Sequence, residues 1–146
     1  MARFHFVALA IVGCADLTAP PSYRGSYHLA RVNGSVIPVT LPAGTDSCTT
    51  SVHGGVLDLS AGAFTLTLII SAPCPFAADV SILGLSGRVH ANGQVLALTS
   101  HQPPQAAPEE LDMRAELHGQ DIRLTWLDDR YGYKAGTYTF ARTPPP

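Results

Sequence analysis

The chain has 146 residues, 46% of them hydrophobic and only 14% charged, with a formal net charge of −2. That length fits one domain with a modest core, and the near-neutral charge argues against nucleic acid or an anionic surface as partner. Thr, Val, Leu and Gly are plentiful, and neither an internal repeat nor a long helical periodicity occurs, so the composition predicts an all-β domain.

At the amino terminus, Met1-Ala2-Arg3 is a short positive start, and Phe4 to Val12 is apolar apart from His5. Such a run is shorter than the ~20 residues of a membrane-spanning helix and fits the apolar region of a secretory signal. It ends in Ile11-Val12-Gly13-Cys14, which resembles the bacterial lipoprotein signal, with Ile11 where Leu is more usual and a single basic residue before the apolar run. The resemblance implies a signal peptide at 1–13, acylation of Cys14, and a membrane partner held through that lipid. Residues 14–24 would then be a lipidated, Pro-rich tether. Asp16 stands third after cleavage, not second, so the aspartate rule for inner-membrane retention is not met; the outer membrane is implied in a cell that has one. Without the resemblance, the same residues fit an ordinary signal peptide with an incidental cysteine, or a buried N-terminal strand.

Gly25 to Val32 predicts the first strand, with Tyr27 and Leu29 inward and Asn33-Gly34 as its turn. Ser35 to Ser47 holds Pro38, Pro42 and Gly44, which predicts a loop with a brief extended piece at Val36-Ile37. Cys48 to Cys74 reads as one hairpin about Ser60-Ala61-Gly62-Ala63, where Gly62 can take φ > 0. The two cysteines are equidistant from Ala61, the placement a cross-strand disulfide needs. Leu57 and Leu59 share a parity that Val52 and Cys48 do not. Simple pairing of Leu59 with Phe64 would set Thr49, not Cys48, against Cys74. One extra residue at Gly54-Gly55 repairs this, so a β-bulge is expected there. Bridging a loop of about 27 residues stabilises by roughly 3.5 kcal/mol in the chain-entropy picture and implies an oxidising compartment.

Val80 to Val89 predicts a strand in which Gly84 and Gly87 permit bending or close backbone approach. Gln94 to Thr99 follows an Ala91-Asn92-Gly93 turn, and His101 to Glu110, carrying three prolines, is expected to be an exposed loop. Leu111 to Leu117 and Ile122 to Trp126 alternate apolar and polar across the turn His118 to Asp121. Thr137 to Arg142 is the last strand, and residues 143–146 form a Pro-rich tail.

These strands number eight, a number that lets an antiparallel meander close into a small barrel. Gly25-Ser26-Tyr27 on the first strand and Arg142 on the last resemble the Gly-x-Trp motif and closing arginine of the lipocalin superfamily. The likeness is closest to the small lipocalin-like lipoproteins of bacteria. It spans Gly25 to Arg142 and implies that the aromatic plugs one end of the barrel while the arginine packs across it. Tyr27 replaces Trp, and the other lipocalin motifs are not evident.

Chemistry is sparse. The chain has no Gly-x-Ser-x-Gly and no His-x-Glu pattern, and His28, His53, His90, His101 and His118 are scattered; neither a hydrolase nor a zinc site is expected. His53-Gly54-Gly55 fits a bulge better than an oxyanion-hole loop, and Asp128 to Tyr133 fits a solvated turn better than a calcium loop. The reading is therefore a non-enzymatic protein with neither cofactor nor metal. Trp126, in phase with Ile122 and Leu124, reads first as core; with Tyr131 and Tyr133 it is a candidate contact for a ligand or partner. An interaction or structural module of the cell envelope with a filled core is the leading expectation. A lipocalin-like carrier of a small apolar ligand and a periplasmic protease inhibitor are the alternatives.

Overall fold

The structure, a computed structural model, describes residues 22–43, 49–71, 80–101, 110–126 and 134–143. Cys14, Cys48, Cys74, Tyr131, Tyr133, the leader and the Pro-rich tail lie outside the described residues. Ten strands are present: β1 Gly25–Val32, β2 Ser35–Val36, β3 Val39–Leu41, β4 Thr50–Leu59, β5 Ala63–Ser71, β6 Ser81–Asn92, β7 Val95–His101, β8 Glu110–His118, β9 Asp121–Trp126 and β10 Gly136–Arg142. No helix occurs among the described residues.

The β4–β5 hairpin pairs Leu59 with Phe64 and Leu57 with Leu66, and its register steps by one residue between Val52 and Gly54. This is the expected bulge, with His53 as the residue left without a partner. Its effect is the parity change the apolar pattern requires, since Val52 is buried together with Leu57 and Leu59. A β-carbon on Gly55 would lie 2.6 Å from Leu68 Cδ2 and 2.7 Å from the Thr67 carbonyl oxygen; only glycine lets β4 approach β5 so closely there.

Eight strands, β1 and β4 to β10, form a closed antiparallel barrel in sequence order. β1 pairs with β10 along its length and closes the ring against β4 through Gly25 to His28. Beyond His28 the two strands part. β2 then pairs with β1, and β3 pairs with β4, on either side of the cis Ile37–Pro38 peptide. The segment expected to hold one extended piece thus holds two short ones. β7 and β8 also run further than expected, so that His101 and Glu110 pair through their backbones.

β6 changes neighbours along its length. Its residues Ser81 to Arg88 pair with β5, and Arg88 to Asn92 pair with β7. The switch falls at Gly87, beneath which β7 passes. A β-carbon there would overlap the Thr99 carbonyl oxygen and lie 2.9 Å from both Phe64 Cε1 and Ser100 Cα. Gly84 has open space over it, so of the two glycines expected to allow a close approach only Gly87 does.

All eight barrel strands send apolar side chains inward. Tyr27, Leu66, Leu68, Leu96, Leu98, Met113, Leu117, Leu124, Trp126 and Phe140, the set expected from alternation, are all buried.

The two glycines of β6 give opposite expectations. Gly87→Ala should cost roughly 1–3 kcal/mol or more, because the new methyl meets the β7 backbone at Thr99 and Ser100 and the Phe64 ring. Gly84→Ala should stay within about 0.5 kcal/mol of the parent. Urea unfolding midpoints of the two variants check this.

Candidate functional site

The antiparallel ring has two unlike ends. Three tight connections lie at one, after β4, β6 and β8, together with the start of β1 and the finish of β10. The strand ends direct the four longer connections (residues 33–49, 72–80, 102–109 and 127–135) to the other. These are the turn end and the loop end.

At the turn end the structure brings Gly25, Tyr27 and Arg142 together. The Arg142 guanidinium carbon sits 5.9 Å from the centre of the Tyr27 ring, within cation–π range. The same guanidinium donates to the Arg24 carbonyl at 2.8 Å and the Ser22 carbonyl at 3.4 Å. Gly25, at φ +144°, carries no side chain where the guanidinium lies; a β-carbon there would be 3.4 Å from Arg142 Nε. Tyr27 is buried, and its hydroxyl donates to the Tyr23 carbonyl at 2.8 Å. One cation therefore ties residues 22–24 to the first and last strands. A shallow groove of about 200 Å³, lined among others by Gly25, Asp58, Leu59 and Phe64, opens beside it.

Toward the loop end the barrel interior turns polar. Among the described residues the buried polar ones are Thr50 and Ser100, near the ends of β4 and β7, and Lys134, two residues before β10, all on that side. Ser100 Oγ donates to the Ser86 carbonyl at 2.6 Å, and the Tyr138 hydroxyl donates to the Lys134 carbonyl at 2.8 Å. The sequence reading missed all three. Ser100 is in phase with Leu96 and Leu98 and was legible on that ground; Lys134, beside a polar loop, carried no signal. Trp126 is buried in the core beneath this end. Among the described residues the exposed large apolar side chains, Val36, Ile69, Val80 and Ile82, all belong to the loop-end half of the barrel.

The described histidines whose side chains are placed, His28, His53, His90 and His118, are exposed on separate strands. His53, turned outward by the bulge, has Nε2 2.8 Å from Ser71 Oγ. This is the spacing of a base and a nucleophile, but no described acid orients the ring and the pair lies open on the sheet, so it lacks the third member that such chemistry requires. Among the described residues no cluster of three or more His, Cys, Asp or Glu could hold a metal ion.

Among the described residues the barrel interior is closely lined. A hollow of several hundred Å³ would leave its walls accessible to a water-sized sphere; among the described residues 23 core side chains are 0–6% exposed, while Leu83 and Ala91 on the inner face of β6 are half-buried. Comparison adds no relative: no protein-family model, no curated protein and no solved structure matches the chain.

Burial raises the Tyr27 phenol above its ordinary value of 10.0, partly opposed by the Arg142 cation. A phenol that holds its proton more tightly when folded adds stability below the unfolded value, and that stability is lost as pH rises through the folded one. Resistance to urea should therefore fall above about pH 10, and the fall should be smaller in Tyr27→Phe. Unfolding followed against tyrosinate absorbance checks both.

Proposed function

We propose that this chain is an exported, lipid-anchored, non-enzymatic β-barrel of the cell envelope that meets a protein partner with its loop end. The observation that carries the reading is the close lining of the barrel: the described core side chains, Leu83 and Ala91 apart, are 0–6% exposed, which favours a surface role over carriage of a small apolar ligand. Exposed apolar side chains concentrated on the loop-end half point to the same surface.

The anchor fits this polarity. Arg142 holds residues 22–24 at the turn end, so a lipid on Cys14 and a tether over 14–24 would leave the loop end facing away from the membrane. The β4–β5 register supports a Cys48–Cys74 bridge. Beyond the bulge Ser51 faces Ser71, and continuing that pairing outward meets positions 48 and 74, where an unbulged hairpin would have met 49. A disulfide there accords with an oxidising compartment. In the lipocalin-like frame, Gly25, Tyr27 and Arg142 close the turn end. A periplasmic protease inhibitor is the form this function takes if the partner is a protease, with the connections at the loop end making the contact.

Cys14→Ser should abolish incorporation of a labelled fatty acid, and Cys48→Ser should lower stability by roughly 3.5 kcal/mol relative to the oxidised parent. Native mass spectrometry of the purified protein should show the mass of the polypeptide and its lipid alone. A co-purifying apolar small molecule would overturn the interaction reading in favour of the carrier.

A further inference from the structure

We infer that Asn92 is a site of spontaneous modification, its side-chain amide converting to a carboxylate through attack by the Gly93 backbone nitrogen, and that the fold withholds the same reaction from Asn33. This goes beyond the reading above and depends on neither the lipid anchor nor a partner at the loop end.

The chain has two asparagines, Asn33 and Asn92, and glycine follows each. Glycine hinders the reaction least, because no side chain shields its nitrogen. The chemistry needs water as its one co-reactant. The Gly93 nitrogen bonds to Asn92 Cγ and gives up its proton, while the carbon–nitrogen bond of the side-chain amide breaks and ammonia leaves. Water then opens the resulting cyclic imide at one of its two carbonyls. One product is aspartate. The other is isoaspartate, in which the main chain runs through the side-chain carbon. Either product adds a negative charge, and the second lengthens the β6–β7 turn by one backbone atom.

Neither sequence nor exposure separates the two sites, since both asparagines are exposed and both sit at a two-residue hairpin turn. The hold on the carboxamide does. The Asn33 side-chain oxygen accepts from the Thr137 N–H at 2.8 Å, and the Asn33 N–H donates to the Thr137 carbonyl at 2.8 Å. A β-carbon on Gly136 would lie 2.7 Å from that same side-chain oxygen, so β10 clasps the carboxamide on two sides. The turn itself is of type I′, with φ +50° at Asn33 and +83° at Gly34. Bringing Cγ onto the Gly34 nitrogen would break the Thr137 hydrogen bond. Asn92 has no such clasp. It ends β6 with its backbone paired to Val95, and among the described residues its side chain has no hydrogen-bond partner. A β-carbon on Gly93 would have nothing within 4 Å. From Val89 onward β6 pairs with β7 alone, so few contacts oppose the rotation that carries Cγ to the Gly93 nitrogen.

The test is incubation of the folded full chain at mildly alkaline pH, followed by peptide mapping with mass spectrometry and detection of isoaspartate. Asn92 is expected to convert about tenfold faster than Asn33, the factor that one hydrogen bond of ordinary strength supplies to a rate. In urea, where the clasp is lost, the two should convert at similar rates. Gly136→Ala, whose methyl displaces the Asn33 carboxamide, should bring Asn33 up to the rate of Asn92 in the folded chain; if that variant does not fold, the urea comparison decides. Equal rates in the folded native chain overturn the inference, as does an Asn92 that fails to convert there. An Asn33 that stays slow in folded Gly136→Ala, or in urea, overturns it too, because the clasp would then not be what protects it.

Discussion

Ring closure rests on a short contact, Gly25 to His28 of β1 against Leu59 to Val56 of β4. Without it the sheet would be an open ribbon with two free edges and half its apolar side chains facing water. The contact is short because β4 serves two neighbours: β1 beyond the bulge and β3 before it. The bulge at His53 lies where the exchange occurs, and Gly87 marks the corresponding exchange on β6, from β5 to β7. At both places a glycine is needed for close approach, Gly55 against Leu68 and Gly87 against Thr99. A narrow barrel must bend its strands sharply to close, and these strands bend where they change partners.

That geometry determines where function can reside. With eight strands the interior is only wide enough for side chains or one small ligand, and here leucines and aromatics from opposite walls occupy it. The turn end is sealed by Tyr27 beneath Arg142 and tied to residues 22–24. The other end is the loop end, where, among the described residues, buried polar side chains and exposed apolar ones lie beside the long connections.

Much of this was legible in the residues. Alternation in Leu111 to Leu117 and Ile122 to Trp126 identified strands, and Met113 to Leu117 and Ile122 to Trp126 each show one buried and one more solvated face. The bulge was legible because two glycines coincided with a break in parity between Val52 and Leu57. Thr50 and Ser100 were missed because a hydroxyl residue at a strand end resembles the start of a loop, although both keep the inward phase. Gly84 and Gly87 looked alike until the path of β7 was known. Parity does separate them, since Gly87 is in phase with Leu85 and Val89 and so faces inward. Where a neighbouring strand departs is a property of the whole barrel, and no local pattern encodes it.

The same property accounts for the short pairing of β6 with β7, Arg88 to Asn92. A barrel removes edges only where adjacent strands stay paired along their full length, and strands that bend enough to fill a narrow core cannot all do so. At the β1–β4 divergence the chain inserts Ser35 to Leu41, which supplies one short strand to each side. At the β6–β7 divergence Ser100 reaches back to Ser86 through its hydroxyl, satisfying one carbonyl.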